Sequence, residues 1–349
     1  MKDKHISIPA DSRLLKELNQ AVRQGLNLDS ATVRNIMYRK ALCYFTVLIL
    51  AYAGIFWVMQ AWAVIAAYIA FGLTAVLLGF NFAHDFSHNT IFRNKRANNL
   101  CFTLLYTLLG AHAEGWKHRH VSAHHYAPNV TDYDTDLQIT RLIRVAPDSP
   151  HHWFHRYQRF YAPLAYTTYS LYWVFLKDFK VYASDCRTGR RLSYHASFWL
   201  QKAGYLVYLL VLPLWLGHSS PGLIFTGFLC MHGVQSLFLL LTFFMTHHVE
   251  ATTYFHTDQQ GFIQTSWISN QLRSSNDFYP FSKTANFIFG GFNNHSAHHL
   301  FPHIHHVHYP ALNRILYPLL QRHGIEPNVT SYAGGVRSHL RHLQRMGNG

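Results

Sequence analysis

The chain has 349 residues, and only 13% of them are charged while 49% are hydrophobic. Soluble domains average about 25% charged, so this deficit argues against an ordinary soluble enzyme and for a membrane protein. The formal net charge is +14. It is read as charge at a membrane surface rather than as a nucleic-acid footprint, because the basic excess lies on both sides of apolar stretches and no nucleic-acid motif accompanies it.

In chain order, residues 1–40 form a polar, basic N-terminal arm, expected in the cytosol and without a cleavable signal peptide. Ala41 to Ala83 then contains no Asp, Glu, Lys or Arg over 43 residues. A spanning helix needs roughly 20 apolar residues, so 41–83 is expected to be a transmembrane hairpin, turning near Gln60–Trp62. Residues 84–202 read as a polar cytosolic block. Ala203 to Val249 is again free of charge, over 47 residues. Within it 203–246 is the second hairpin, with its turn near Gly217–Gly222 between Pro213 and Pro221. A second polar block fills 247–349. Core helices of a soluble protein are the competing explanation, and they rarely run this long without a charge. Leu100–Ala111 would be only about 18 Å long as a helix. Phe160–Leu176 carries Pro163 near its start, and both stretches are expected to lie in the membrane interface. Neither hairpin turn contains Lys or Arg, whereas the rest of the chain holds all 30. The positive-inside rule therefore expects an integral, multi-pass protein with both termini and both polar blocks in the cytoplasm.

Cys43, Cys101, Cys186 and Cys230 are far apart and make no C-x-x-C pair, so a cysteine zinc site or iron–sulfur cluster is not supported. The 27 histidines are the informative residues. His84 and His88 end the first apolar stretch, and four residues apart on a helix they share a face. His120, His124 and His125 form H-x-x-x-H-H. His295, His298 and His299 form H-x-x-H-H, and His247 directly follows the last span. Imidazole suits iron, zinc, copper or nickel. One zinc takes four protein ligands, or three plus water, so nine histidines exceed a single site and fit two metals with open positions. A carboxylate di-iron centre needs Glu-x-x-His pairs, and none of Glu17, Glu114, Glu250 and Glu326 begins one. A zinc protease would need H-E-x-x-H, which is absent. Haem would leave most of the histidines unexplained.

These boxes, with their flanking residues, resemble the membrane fatty acid desaturases. The similarity runs from about residue 40 to 325 and is nearest to the acyl-lipid and acyl-CoA branch that includes the front-end desaturases. It is carried by Ala83-His-Asp-Phe-Ser-His88, Trp116-Lys-His-Arg-His-Val-Ser-Ala-His-His125, Tyr172-Trp-Val-Phe-Leu-Lys-Asp178, Gln271-Leu-Arg-Ser-Ser275 and Gly290-Gly-Phe-Asn-Asn-His-Ser-Ala-His-His-Leu-Phe-Pro302. The resemblance implies an all-α integral-membrane fold in which four transmembrane helices, as two hairpins, are capped by a cytosolic helical di-iron domain. It implies two Fe ions held by His84, His88, His120, His124, His125, His247, His295, His298 and His299, with O2 as co-substrate. The reaction it implies removes two hydrogens from adjacent carbons of a fatty acyl chain, carried as acyl-CoA, lipid-linked acyl or on acyl carrier protein. Front-end desaturases usually carry Gln at the position of His295; here it is His, as in other branches. The His-Pro-Gly-Gly mark of a fused cytochrome b5 is absent, as are a dinucleotide fingerprint and ferredoxin cysteines. Electrons are therefore expected from a separate donor of ferredoxin or cytochrome b5 type with its reductase.

Asp85, Asp132, Asp134 and Asp136 are candidates to receive the second N–H of ligating imidazoles. Lys177, Lys180, Arg187, Arg190 and Arg191, and Arg337, Arg341 and Arg345 near the end of the chain, form basic clusters suited to docking an acidic partner, although anionic lipid headgroups explain them as well. His118, His303 and His305 read as surface residues or as partners behind the ligating imidazoles, His306 and His308 as structural, and His218 and His232 as polar packing. Hydroxylation or acetylenic-bond formation by the same kind of site is the alternative chemistry. A histidine-rich metal transporter or sensor would instead place its ligands inside the spans near the midplane.

Overall fold

The computed structural model describes residues 4–137 and 140–349. Helix dominates. The strands among the described residues are two short pieces, Asp277–Phe278 and Val329–Thr330, paired in parallel. Among the described residues, four helices are long and apolar enough to cross a membrane: Ala31–Trp57, Ala61–Ser87, Leu192–Leu216 and Pro221–His247. The all-α membrane architecture expected from the uncharged stretches is thus present. The breaks between the paired helices fall after Trp57 and after Leu216. Leu100–Leu108 of the Leu100–Ala111 stretch lies in a helix of Lys95–Leu108, whose first turn is capped by the Asn94 side chain. The 160–176 stretch is broken into Gln158–Tyr166, Tyr169–Tyr172 and a π-helical turn, Trp173–Lys177. Neither stretch forms an apolar helix of crossing length.

The chain divides into two compact units. One comprises Asn35–Lys117 and Pro163–Leu240 and carries most of the apolar helices. Inside a bilayer every backbone group needs a partner. Pro213 lacks an N–H, which leaves the carbonyl of Leu209 without its helical donor. The hydroxyl of buried Tyr68 donates to that carbonyl at 2.9 Å, and Tyr52 does the same for Tyr208 at 2.8 Å. Two further polar nodes are satisfied internally. Lys202 Nζ donates to Gly110 O, Val174 O and Asp178 Oδ2 at 2.7–2.8 Å. His232 sits between Ser170 Oγ (2.6 Å) and Tyr205 OH (2.8 Å), so it has the polar packing expected of it.

The other unit comprises Met1–Arg34, His118–Ala162 and Leu241–Gly349. Helix Pro9–Gly25 buries Leu14, Leu18 and Val22. They join Leu312, Leu316 and Leu320 of helix Tyr309–Arg322 in one core with Ile268, Leu272 and Leu300. At about 25 cal/mol per Å2 of buried apolar surface, each such side chain stabilises by roughly 1.5–3 kcal/mol. This core includes Ala297 and Leu300 of the helix that carries His295, His298 and His299. The C-terminal helix, Tyr332–Gly347, is tied to Gln158, whose Nε2 donates to Leu343 O at 2.7 Å and Arg144 O at 3.0 Å. At its last turn a Cβ on Gly347 would stand 2.2 Å from the carbonyl oxygen of His155, so only glycine fits there.

Candidate metal centre

Four imidazoles from three segments of the second unit converge. His247 closes helix Pro221–His247, His124 closes a π-helical turn, His118–His124, and His295 and His299 lie on helix His295–Leu300. All four are buried. The Nε2 of His247 lies 3.0 Å from that of His124, 2.6 Å from that of His295 and 3.2 Å from that of His299, with 3.1 Å between His295 and His299. On three of the rings the opposite nitrogen faces a group that can only accept. His124 Nδ1 donates to Asp134 Oδ2 at 3.0 Å, His247 Nδ1 to the carbonyl of Ser274 at 2.9 Å, and His299 Nδ1 to Gln271 Oε1 at 2.8 Å.

Those acceptors place the ring protons on Nδ1 and leave lone pairs on Nε2. Neutral lone pairs aimed at one another are mutually repulsive, and a cation between them removes the conflict. Imidazoles bound at the ~2.0–2.1 Å typical of a first-row ion stand about 3 Å apart at right angles, close to the spacing here. The donor set therefore fits a metal ion.

A second group lies in the same unit. His298 Nε2 is 2.9 Å from His125 Nε2, which is 3.2 Å from His120 Nε2. The π turn explains how His120 meets His125: the amide of His125 bonds to the carbonyl of His120 at 3.0 Å, an i→i−5 step that lays the two side by side. His298 Nδ1 contacts the hydroxyl of Tyr309 at 3.1 Å. In the other unit, His84 opens the helical turn His84–Ser87 and His88 follows it. Their rings are 5.0 Å apart on one face, as the four-residue spacing predicts. A π turn, Gly79–Ala83, precedes them.

Electrostatics follow burial and neighbours. Burial pushes His124 down, but the charge and hydrogen bond of Asp134, helped by Asp136, more than offset it and hold the ring above its ordinary range. Burial and then the adjacent imidazoles of His125, His295, His247 and His124 hold His299 well below it. Burial, then the charge of Lys117, takes His88 down to about 3.

The aspartates separate. Asp134 hydrogen-bonds His124, and its position is set by a tight turn in which its carboxylate also takes the amides of Asn129 and Asp136, both at 3.0 Å. Asp136 acts on His124 by charge. Asp132 does not take the expected place behind an imidazole: it is exposed and accepts from the hydroxyl of Thr257, because the turn points it outward. Asp85 is buried next to His84 and feels the charge of Lys40. His305 Nδ1 accepts the amide of Val307 at 3.2 Å. In the basic run, Lys180, Arg187, Arg190 and Arg191 are exposed and Lys177 is half-buried, with Arg190 3.4 Å from Asp185. Gln271, Ser274 and Tyr309 were not among the residues expected to act. Gln271 and Ser274 lie in the Gln271–Ser275 stretch, so a signal for them existed; Tyr309 had none.

The family model for fatty acid desaturase matches residues 60–331. An acyl-lipid (8-3)-desaturase of Physcomitrium patens is 29% identical over 85% of this chain, which spans 63% of that protein. A sn-1 linoleoyl-lipid 6-desaturase of Arthrospira platensis is 27% identical, covering 95% of this chain and 92% of the relative. One of a Synechocystis species is 28% identical over 84% and 86%. With the helical membrane architecture and the converging imidazoles, the match over most of its length means that this chain belongs to the fatty acid desaturase family.

Proposed function

We propose that this desaturase is a di-iron enzyme that acts on acyl chains carried by membrane lipids, with O2 and two electrons from a separate protein. In balance, a CH2–CH2 unit, O2, two electrons and two protons give CH=CH and two waters. The observation that carries the reading is the convergence of four buried Nε2 atoms, three of them on rings whose Nδ1 partners are acceptors. His124, His247, His295 and His299 would hold one ion. His120, His125 and His298 would hold the other, with His84 and His88 assigned to it by the order of the boxes in the sequence. The lipid carrier is favoured over acyl-CoA or acyl carrier protein because relatives of similar length are named for lipid-linked acyl substrates.

When bound, the irons supply the reduction of O2 and the oxidising power for C–H cleavage. The protein's part is preorganisation. Asp134, Gln271 and the Ser274 carbonyl hold three rings in one tautomer and orientation, which keeps their lone pairs inward. The buried setting excludes water that would quench a strong oxidant. The residues 177–191 offer an anionic partner, whether headgroup, acyl carrier or redox protein, a contact by charge alone. The metal site and both termini are proposed to face the cytoplasm.

Metal analysis of purified protein should find close to two irons per chain. Expression in a host with a suitable donor, followed by mass spectrometry of its lipids, should show acyl chains lacking two hydrogens. Gain of an oxygen atom would make the enzyme a hydroxylase. A single zinc, with no activity restored by iron, would sink the di-iron reading.

A further inference from the structure

We propose that the outer face of the C-terminal helix, Tyr332–Gly347, is the docking surface for a soluble, acidic one-electron carrier. This rests on the reading that the site draws electrons from a separate protein. Arg337, Arg341 and Arg345 are exposed and spaced by four, so they form one stripe along the helix. Glu250 is the one carboxylate paired with the stripe among the described residues, at 2.7 Å from Arg345 and 3.7 Å from Arg341. Arg159 extends the patch, donating to Gln344 Oε1 at 2.6 Å. Three helix cations against one acid leave a net positive face.

The inner side of the same helix leads to the histidine cluster. His339 Nδ1 donates to the carbonyl of His248 at 2.7 Å. His342 Nε2 donates to Val145 O at 2.7 Å and lies 3.0 Å from the hydroxyl of Tyr254. That hydroxyl meets His248 Nδ1 at 2.8 Å. His248 is joined by one peptide bond to His247, whose Nε2 sits among the four converging imidazoles. A route of short hydrogen bonds and one covalent link thus runs from beneath the arginine stripe to a proposed iron ligand. Electrons pass more readily through such contacts than across gaps. A carrier seated on the stripe delivers one electron per encounter, and two encounters supply the pair the reaction consumes.

The stripe suits a protein better than a lipid surface. An interfacial helix sets aromatic or aliphatic side chains beside its cations, and no large hydrophobic side chain is exposed on this helix among the described residues. Charges at the rim of a contact act mainly on encounter rate, with a strong dependence on salt.

The test uses the full-length enzyme in lipid nanodiscs, driven either by a reduced plant-type [2Fe–2S] ferredoxin or by a photoreduced, uncharged deazaflavin. R337E/R341E/R345E should raise the KM for ferredoxin at least tenfold and flatten its salt dependence, while the deazaflavin-driven rate and iron content stay unchanged. Y254F should lower the rate at saturating ferredoxin several-fold without moving KM. If the triple variant loses iron, R337E alone replaces it, since Arg337 is outside the Glu250 pair, with a smaller rise in KM expected. Unchanged KM and salt response in the stripe variant overturn the proposal. So does a KM rise confined to K180E/R187E/R191E, or a stripe effect confined to binding of anionic vesicles. Wild-type enzyme that turns over with neither reductant would instead overturn the di-iron reading.

Discussion

At the scale of single residues, the proposed ligands and their partners differ in what their loss should do. Removing His124 or His298 leaves a buried gap among imidazoles, and removing His84 takes away half of the first box. Each alanine variant should abolish desaturation while membrane insertion persists, as read from fatty-acid profiles and membrane fractionation. Full activity in any one would remove that residue from the ligand set. Asp134→Asn keeps the size of the side chain but loses the charge that makes His124 a strong donor. Partners of this kind typically contribute 10–100-fold to metal affinity or activity, so a loss of about that size is expected. Gln271→Leu should act likewise through His299. Gln271→Glu keeps an acceptor for His299 Nδ1 and should retain more activity than the leucine variant.

At the scale of elements, helix His295–Leu300 is held at its N-terminal end. Asp277 Oδ1 accepts the amide of Ser296 at 2.8 Å, and Tyr317 donates to the same carboxylate at 2.6 Å. Before the helix, Gly291 has φ +88°, and a Cβ there would come within 2.7 Å of His306 Cβ and 2.9 Å of the Tyr309 ring. Gly291→Ala should therefore destabilise by about 1–3 kcal/mol from backbone strain alone, with the clash in addition. Gly189 has φ +70° and no atom within 4 Å of its added Cβ. The melting temperature of Gly291→Ala should fall further than that of Gly189→Ala, and equal falls would show that the close approach to Tyr309 does not matter. Hairpin sidedness is an element-scale question as well. Reporters after Asp185 and after Gly349 should both read cytoplasmic, and one near Ser219 the opposite side. Different sides for the first two would mean that the 160–176 stretch crosses the membrane.

At the scale of the whole molecule, the converging lone pairs couple metal to stability. An ion that binds the folded state alone adds about 2.7 kcal/mol when present at a hundred times its dissociation constant. Chelating the iron should lower the melting temperature, and iron(II) should restore both stability and turnover. Zinc should restore stability without turnover, because it fills the donor set but has no redox chemistry. A melting temperature indifferent to chelation would mean that the histidines do not hold a metal.

Much of this was open to reading in the sequence for a plain physical reason. Long uncharged stretches have few folded outcomes in a bilayer, so Ala41–Ala83 and Ala203–Val249 announced the apolar helices. Metal chemistry selects residue types, so the three boxes and His247 announced the candidate ligands. What the linear order could not express was who meets whom. His124 and His125 are neighbours in the chain, yet their rings stand at 85° and belong to different groups. A π turn, which depends on its surroundings rather than on local propensity, sets that division and lays His120 beside His125. Among three closely spaced aspartates, tertiary turn geometry alone chose Asp134. The Ser274 carbonyl is backbone and has no sequence signature. Residue chemistry and hydropathy by themselves determined the class of protein and its candidate ligand types; the grouping of those candidates, and the partners that orient them, required the folded chain, because they depend on contacts between distant segments, 175 residues apart in the case of His124 and His299.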